Sequence, residues 1–493
     1  MVLQNELHFV LVPLMSPGHM IPMLDLARLL AKLGGVMVTF VTTPVNLSRI
    51  EAVISRMKES DLPVRFLSLQ LPCKEVGLSE GCENLDLLPS PMSLHNFLAA
   101  TKMLEEPLRL HLQQSSPRPS CIISDFCHPW TRHVARDLEV PRFDFYSMPC
   151  FALLCEHNLN VRRMDDGVGG EDGLPIVVPG LPLRVEVARV QAPGFFPRPE
   201  WAWMDDEIRE AESVSHGVVV NTFAELEPEF LDLYERTSGK KVWAVGPVSL
   251  CNELAIDQAS RGDKAAIDVE KCVAWLDAMK PRSVLYISFG TLVRSSLAVL
   301  VDLGLGLEAT RRPFIWSIKA GGIQAEVEDW LAQGFEERTR DRALIIRGWA
   351  PQVTILSHPS IGGFLTHCGW NSSLEGITAG VPILTWPGFS EQFLNERLLV
   401  DVLRVGVPTG VKTPVWDGTI ADGDLQLNRE EIQKTVERLM DAGVEGEERR
   451  RTVTELSKRA RSAMEVGGSS HLSLTRLIEE MRLYAHKKTT LVP

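Results

Sequence analysis

The stretch HFVLVPLMSPGHMIPMLDLARLLAKLGGVMVTFVTT, residues 8–43, decides the architecture. His8 to Leu14 is an apolar, strand-like run closed by Ser16-Pro17-Gly18. Behind it, Met23, Leu26, Leu30 and Leu33 recur at spacings of 3, 4 and 3, the period of one helix face. Gly34-Gly35 ends that helix, and Val36 to Thr43 is a second β-rich run. Strand, helix and strand in so short a span form a βαβ unit, which builds a parallel sheet.

The pattern continues outward. Cys121 to Ser124 reads as a strand, Asp125 leads into the helical Trp130 to Leu138, and Pro141 introduces a strand over Arg142 to Tyr146. Residues 161–198 are rich in Gly and Pro and read as surface loops. A strand around Gly217 to Asn221, an acidic helix and Val242 to Val245 close the first half. In the second half, strand-like runs end in polar or glycine-containing punctuation: Val284–Ser288 before Phe289-Gly290-Thr291, Leu344–Ile346 before Arg347-Gly348-Trp349, Ile361–Thr366 before His367-Cys368-Gly369, and Pro382–Thr385 before Trp386-Pro387-Gly388. Phe314–Ile318 is a further strand, and Leu474, Leu477, Ile478 and Met481 make a helical stripe behind Ser469 and Ser470 as caps. The predicted architecture is α/β, with two doubly wound domains over 1–250 and 269–468. A linker over 251–268 joins them, and a helix over 469–493 packs back on the first domain. In such sheets ligands bind beyond the carboxyl ends of strands, so the punctuation predicts one interdomain cleft.

The chain has 493 residues, enough at about 150 residues per domain for two to four units. Hydrophobic residues at 45% and charged residues at 23% exclude a disordered chain or a fibre. A net charge of −13 argues against a nucleic-acid partner. The one basic cluster, Arg449-Arg450-Arg451, lies among Glu447, Glu448 and Glu455. The i,i+4 pairs Glu447/Arg451 and Glu455/Arg459 predict a solvated helix face. No two of the nine cysteines are spaced C-x-x-C. Cys121, Cys127, His128 and His133 lack zinc-ligand spacing, so free thiols in a reducing compartment and no bound metal are expected. The N-terminus lacks a basic signal-peptide region, and no apolar run reaches the ~18 residues of a membrane span; both predict a cytoplasmic protein.

The richest chemistry lies in the 44 residues from Trp349 to Gln392: WAPQVTILSHPSIGGFLTHCGWNSSLEGITAGVPILTWPGFSEQ. His367-Cys368-Gly369-Trp370-Asn371-Ser372 leaves a strand, and a helix beginning at Ser373-Leu374-Glu375 follows. Backbone N–H groups and small hydroxyls at a positive helix end suit phosphate, with His367 as a further donor. Glu375, one turn in, can accept from vicinal hydroxyls, and Trp349 offers a flat face for a base. This block closely resembles the signature of plant family 1 UDP-sugar glycosyltransferases, without a gap, and a weaker resemblance extends over essentially the whole chain.

The resemblance implies a GT-B fold, two Rossmann-like domains with the donor held mainly by the second. It implies a UDP-sugar-binding set of Gly18, Thr291, Trp349, Ala350, Gln352, His367, Gly369, Trp370, Asn371, Ser372, Glu375, Glu391 and Gln392. Trp349 would stack on uracil, with Gln352 on the uridine and Glu375 on the ribose hydroxyls. His367, Asn371, Ser372 and Thr291 would bind the diphosphate, and Trp370, Glu391 and Gln392 the sugar. A terminal Gln in this family is usually associated with UDP-glucose, so Gln392 favours that donor over UDP-galactose or UDP-xylose. The resemblance also places the catalytic base at His19 and its orienting aspartate at Asp125. Both lie at the carboxyl edge of one sheet, so they can meet. The helix N-terminus disfavours imidazolium, and the aspartate fixes the tautomer, as in a triad whose serine is replaced by the acceptor hydroxyl.

The implied reaction is inverting glucosyl transfer from UDP-glucose to a hydroxyl of a small lipophilic plant metabolite, by a monomeric enzyme with no further cofactor. A flavonoid is favoured over a triterpenoid, steroid or phenolic hormone, and Phe126, Met148 and Phe151 are candidates for the acceptor pocket. Several positions depart from the family's commonest pattern: Ser16-Pro17 for Ala-Gln, Thr291 for Ser, Glu391 for Asp, and the added Gly388. A rival from another class is an NAD(P)-dependent oxidoreductase, because Gly304-Leu305-Gly306-Leu307-Glu308-Ala309 fits G-x-G-x-x-A. That fingerprint must follow a strand, whereas these glycines fall inside a predicted helix. A non-catalytic nucleotide-sugar binder would keep the block, but intact His19 and Asp125 speak against it. Asp422-Gly423-Asp424 matches a metal-binding D-x-D but lacks a preceding strand and reads as a surface loop.

Overall fold

The strand β1 (Leu7–Val12) is buried at every residue, which its unbroken apolar run dictates. The computed structural model describes residues 7–166, 175–191, 201–293, 296–319, 321–415 and 427–490. After β1 a helix spans Pro17–Lys32, with proline at a first-turn position that needs no N–H donor. Met20, Met23, Leu26, Ala27 and Leu30 form part of its buried face. β2 (Val36–Thr42) then pairs parallel with β1, Leu7 opposite Val36. The half is completed by β3 (Val64–Ser68), β4 (Cys121–Asp125) and β5 (Arg142–Tyr146). Beyond β6 (Pro175–Val177) and β7 (Glu186–Ala188) come β8 (Val218–Val220) and β9 (Val242–Ala244). Seven of these make one parallel sheet in the order β3-β2-β1-β4-β5-β8-β9, while β6 and β7 form a separate antiparallel ribbon.

The second sheet holds β10 (Val284–Ser288), β11 (Phe314–Ile318), β12 (Ala343–Arg347), β13 (Ile361–Thr366), β14 (Ile383–Thr385) and β15 (Gly406–Pro408). Their order is β12-β11-β10-β13-β14-β15, all parallel. Alternate residues of β10 enter different cores. Leu285 and Ile287 pack with Leu303, Trp316 and Val436, while Val284 and Tyr286 pack with Leu276, Ile355 and Phe364. Helices on both faces bury both sides, which is the doubly wound arrangement.

By internal contacts the chain groups into two units, residues 1–150 with 196–257 and 460–493, and residues 151–195 with 258–459. The division is not contiguous because the chain returns. In the first unit the helix Ser469–Thr490 packs along β9; Ser469 Oγ donates to Glu225 and Ser470 Oγ to the Gly246 carbonyl. Those hydroxyls thus tether the helix rather than cap it. Other local expectations are also revised. The expected loops over 161–198 contain the end of a helix, Cys150–Asp166, and the β6–β7 ribbon. The expected linker carries a short helix, Ala255–Ala259. On the helix Val444–Met464, Glu447 pairs with Arg450 instead of Arg451, and Arg449 is buried; Glu455 does pair with Arg459. All nine cysteines are buried, and none forms a disulfide. Among the described residues no helix is long and apolar enough to cross a membrane.

Candidate active site

The first unit builds an acid–base pair from two neighbouring strand ends. β1 and β4 run parallel with Val12 opposite Ser124, so the segments that leave them emerge together. The Ser16 carbonyl accepts the N–H groups of His19 and Met20, which starts the helix and places His19 in its first turn. His19 Nδ1 then lies 2.8 Å from Asp125 Oδ2. Asp125 Oδ1 accepts the Cys127 N–H at 3.0 Å. The Asp125 side chain is 1% exposed and that of His19 is 14% exposed. Burial alone would raise the Asp125 pKa, but the charge and hydrogen bond of His19, helped by His128 and the Cys127 N–H, hold it below the ordinary value. Asp125 is therefore a carboxylate, Nδ1 carries the proton it donates, and Nε2 presents a lone pair.

Gly18 is exposed beside this pair. The Phe126 ring lies 6.3 Å from the imidazole and stacks on Tyr146 at 4.7 Å. Met148 and Phe151 are buried, and Phe151 groups with the second unit. A cavity of about 290 Å³ opens near the same segment, lined in part by His95, Leu98, Cys127, Trp130, Trp203 and Met204. His95 meets Trp203 edge-on at 5.3 Å. The sequence gives one faint sign of this wall, the paired indoles Trp201 and Trp203 at the start of an acidic helix. The four candidate zinc ligands serve elsewhere. His128 Nε2 faces the Pro13 carbonyl, with its pKa lowered by burial to about 4, His133 faces Glu105, and burial pushes the Cys121 thiol up.

The second unit assembles the remaining residues on the ends of β10, β12, β13 and β14. Ser288 lies opposite Thr366, so Gly290-Thr291 and His367-Cys368-Gly369 leave side by side. The His367 ring fills the space between two glycines. A Cβ at Gly290 would come within 2.5 Å of the ring and one at Gly369 within 2.3 Å, so both positions exclude a side chain. Burial lowers the His367 pKa to about 4, despite a bond to the Ser288 backbone, so at neutral pH it supplies a donor and no charge. Cys368 has φ +63°, a left-handed conformation costing roughly 1–2 kcal/mol outside glycine. Buried Asn395 holds that turn by donating from Nδ2 to the Cys368 carbonyl at 2.8 Å.

The helix after the turn spans Trp370–Ala379, three residues earlier than expected, because Gly369 already occupies the cap position. That end has no side-chain cap, which leaves the partial positive charge that anions seek. Trp370 is 1% exposed, so its indole anchors the turn. Glu375 is buried on the same helix, with Asn371 and Ser372 half-buried before it. Gln352 Nε2 donates to Glu375 Oε2 at 2.8 Å and to Ser372 Oγ at 3.1 Å, while its Oε1 accepts from Tyr286 OH at 3.3 Å. Trp349, half-buried after β12, accepts the Ala266 N–H at 2.8 Å, and Ala350 is buried beside it. Gln392 Oε1 accepts from the Gly388 and Phe389 N–H groups at 2.8 and 3.0 Å, so its NH₂ is the end left to donate. Glu391 Oε1 accepts from Asn395, and Thr291 is half-buried.

Arg261 was missed. Its Nη1 pairs with Glu375 Oε1, and nothing in the polar stretch around it marks this role. Gly304 and Gly306 lie inside the helix Leu297–Thr310, where any Cβ would strike Trp330 or Ile432. They serve close packing, which removes the dinucleotide reading of that motif. Asp422-Gly423-Asp424 lies outside the described residues.

Residues 5–250 match a glycosyltransferase N-terminal domain model, and residues 261–406 match the UDP-glucuronosyl and UDP-glucosyl transferase model. The chain is 48% identical to UDP-glycosyltransferase 73E1 of Stevia rebaudiana and 46% identical to UDP-glycosyltransferase 73C5 of Arabidopsis thaliana, each over 97% of both chains. It is a plant family 1 UDP-glycosyltransferase. The crystal structure of Glycyrrhiza uralensis UGT73P12 with glycyrrhetinic acid 3-O-monoglucuronide matches this glycosyltransferase with a TM-score of 0.88 at 34% identity, covering 98% of this chain and 97% of that one. The two parallel sheets are those of the GT-B fold. The activity of this glycosyltransferase is glycosyl transfer from a UDP-sugar to small plant metabolites.

Proposed function

We propose that this glycosyltransferase inverts the anomeric centre while moving glucose from UDP-glucose to a hydroxyl of a small lipophilic acceptor, without a metal. The observation that carries the reading is the 2.8 Å bond between His19 and the buried, ionised Asp125. His19 Nε2 takes the acceptor proton as the oxygen bonds the anomeric carbon, and the bond from that carbon to UDP breaks. Asp125 stabilises the imidazolium so formed, a base contribution of about 10²–10⁴-fold. The departing diphosphate meets the uncapped helix end at Trp370, the neutral His367 donor and the Ser372 hydroxyl. Gln352 and Trp349 take the uridine, Glu375 takes the ribose hydroxyls, and the Gln392 NH₂ donates to the sugar. Gln392 supports glucose as the donor sugar.

For the acceptor we favour a flavonoid. The cavity of about 290 Å³ beside Cys127 is mainly apolar, with Lys102 and Glu207 also in its wall, and its volume lies just under the ~300–1,000 Å³ range of small-molecule sites. A triterpenoid is the second reading, supported by the glycyrrhetinic acid glucuronide in the similar crystal structure. Nine buried cysteines, none of them in a disulfide, support work in a reducing compartment, the cytoplasm. Mass spectrometry of mixtures holding flavonols or triterpenoid acids, each with UDP-glucose, UDP-galactose or UDP-xylose, tests both choices. A flavonol hexoside formed fastest from UDP-glucose is expected. Transfer confined to triterpenoids replaces the acceptor reading, and faster transfer from another UDP-sugar replaces the donor.

A further inference from the structure

The carboxylate assigned above to the ribose does not stand alone. Arg261 Nη1 lies 2.5 Å from Glu375 Oε1, and the two side chains are only 10% and 6% exposed. Gln352 Nε2 takes the other oxygen at 2.8 Å, and Gln352 is itself turned by Tyr286 OH. Tyr286 is fixed by stacking on Phe364 at 5.1 Å and 11°. A carboxylate has about four acceptor sites. One guanidinium bond and one amide bond leave a lone pair on each oxygen, which is what a vicinal diol needs from its partner. The charge also needs this company: a carboxylate this buried is costly unless paired. The segment carrying Arg261 reaches the nucleotide wall a second time, where Ala266 N–H bonds the Trp349 carbonyl at 2.8 Å.

We propose that Arg261 is a positioning residue for the nucleotide. It fixes the rotamer of Glu375 so that the carboxylate meets the ribose 2′- and 3′-hydroxyls, and it makes the stretch 258–268 part of the donor site. The inference rests on the reading of Glu375 as the ribose ligand. Arg261 need not touch the nucleotide; its effect passes through Glu375.

Calorimetric titration of UDP and 2′-deoxy-UDP into wild type, Arg261→Ala, Arg261→Lys, Glu375→Gln and the Arg261→Ala/Glu375→Gln double variant tests it. Arg261→Ala should weaken UDP about tenfold, the scale of one lost charge-assisted bond, while 2′-deoxy-UDP changes much less. The preference for UDP over its deoxy analogue should therefore collapse, and Arg261→Lys should restore part of it. In the Glu375→Gln background, adding Arg261→Ala should change UDP affinity less than about twofold, as for two residues acting through one contact. Should Arg261→Ala fold poorly, Arg261→Lys and Arg261→Met carry the test, because the ratio of the two ligand affinities does not depend on the active fraction. An unchanged ratio in Arg261→Ala or Arg261→Met, tighter UDP binding, or an equal loss in the Glu375→Gln background overturns the proposal while leaving Glu375 in place. Wild-type UDP affinity in Glu375→Gln overturns the ribose assignment, and Arg261 falls with it.

Discussion

The edge of the first sheet and the edge of the second solve their problems differently. At the first, the proposed chemistry depends on one imidazole, one carboxylate and one 2.8 Å bond, with the stacked rings of Phe126 and Tyr146 beside them. At the second, Tyr286, Gln352, Ser372, Glu375 and Arg261 are joined in one polar network, and Asn395 and two glycines shape the adjoining turn. Proton transfer needs one group with the right tautomer, whereas gripping a nucleotide needs many modest contacts. Losses at the first edge should therefore be steep and confined to turnover, and those at the second graded and visible in binding.

The steepest expected effect is His19→Ala, which should lower kcat by roughly 10²–10⁴-fold while leaving the UDP dissociation constant within about twofold. Stopped-assay UDP release and calorimetry separate the two readouts, and near wild-type turnover would remove the base assignment. Asp125→Asn should cost no more than that, up to about 10⁴-fold in kcat, because the ring survives but loses the partner that fixes its tautomer. On the other edge, Trp349→Ala should weaken UDP by roughly 5–100-fold, the scale of one aromatic–base stack. A wild-type UDP affinity would break the stacking assignment. Gln392→Glu retains an acceptor oxygen for the Gly388 and Phe389 N–H groups but loses the donating NH₂. It should raise KM for UDP-glucose about fivefold, a single neutral hydrogen bond, and spare the affinity for UDP.

The smallest effect concerns acid stability. His128 sits at about pKa 4 in the fold against an ordinary 6.5, so falling pH protonates the unfolded chain first. The stability tied to neutral His128 is complete above about pH 6.5, fades toward pH 4 and is gone below it. His128→Gln should reduce the drop in Tm between pH 7.5 and 4.5 by a few degrees. An equal drop would show that His128 does not contribute to the acid sensitivity.

Much of this was legible in the chain. The runs Arg142–Tyr146, Val284–Ser288, Phe314–Ile318 and Ile361–Thr366 are strands with the predicted limits, because they are central and buried on both faces. β3 and β15 were invisible for the opposite reason. Their own residues carry the weaker signal: β3 is only partly buried and β15 is three residues ending in proline. The pairing of His19 with Asp125 was implied by the family resemblance, and the position of both at carboxyl ends of one sheet allowed it; the adjacency of β1 and β4 brings them together. Arg261 had no such cue: a lone arginine in a polar stretch carries no period, and its partner stands 114 residues away. Tethers such as Ser470 to Gly246 are equally silent, since a helix cap and a long-range donor use the same serine.

The cysteines bear on how the enzyme can be handled. All nine are buried, burial pushes the thiols of Cys121, Cys150 and Cys368 well up, and that of Cys272 is raised to about 11. Thiolate, the form that attacks a maleimide, is thus scarce and shielded in the native fold. One cysteine introduced at Val466, which is 91% exposed, would take up a fluorophore selectively against the untouched native background.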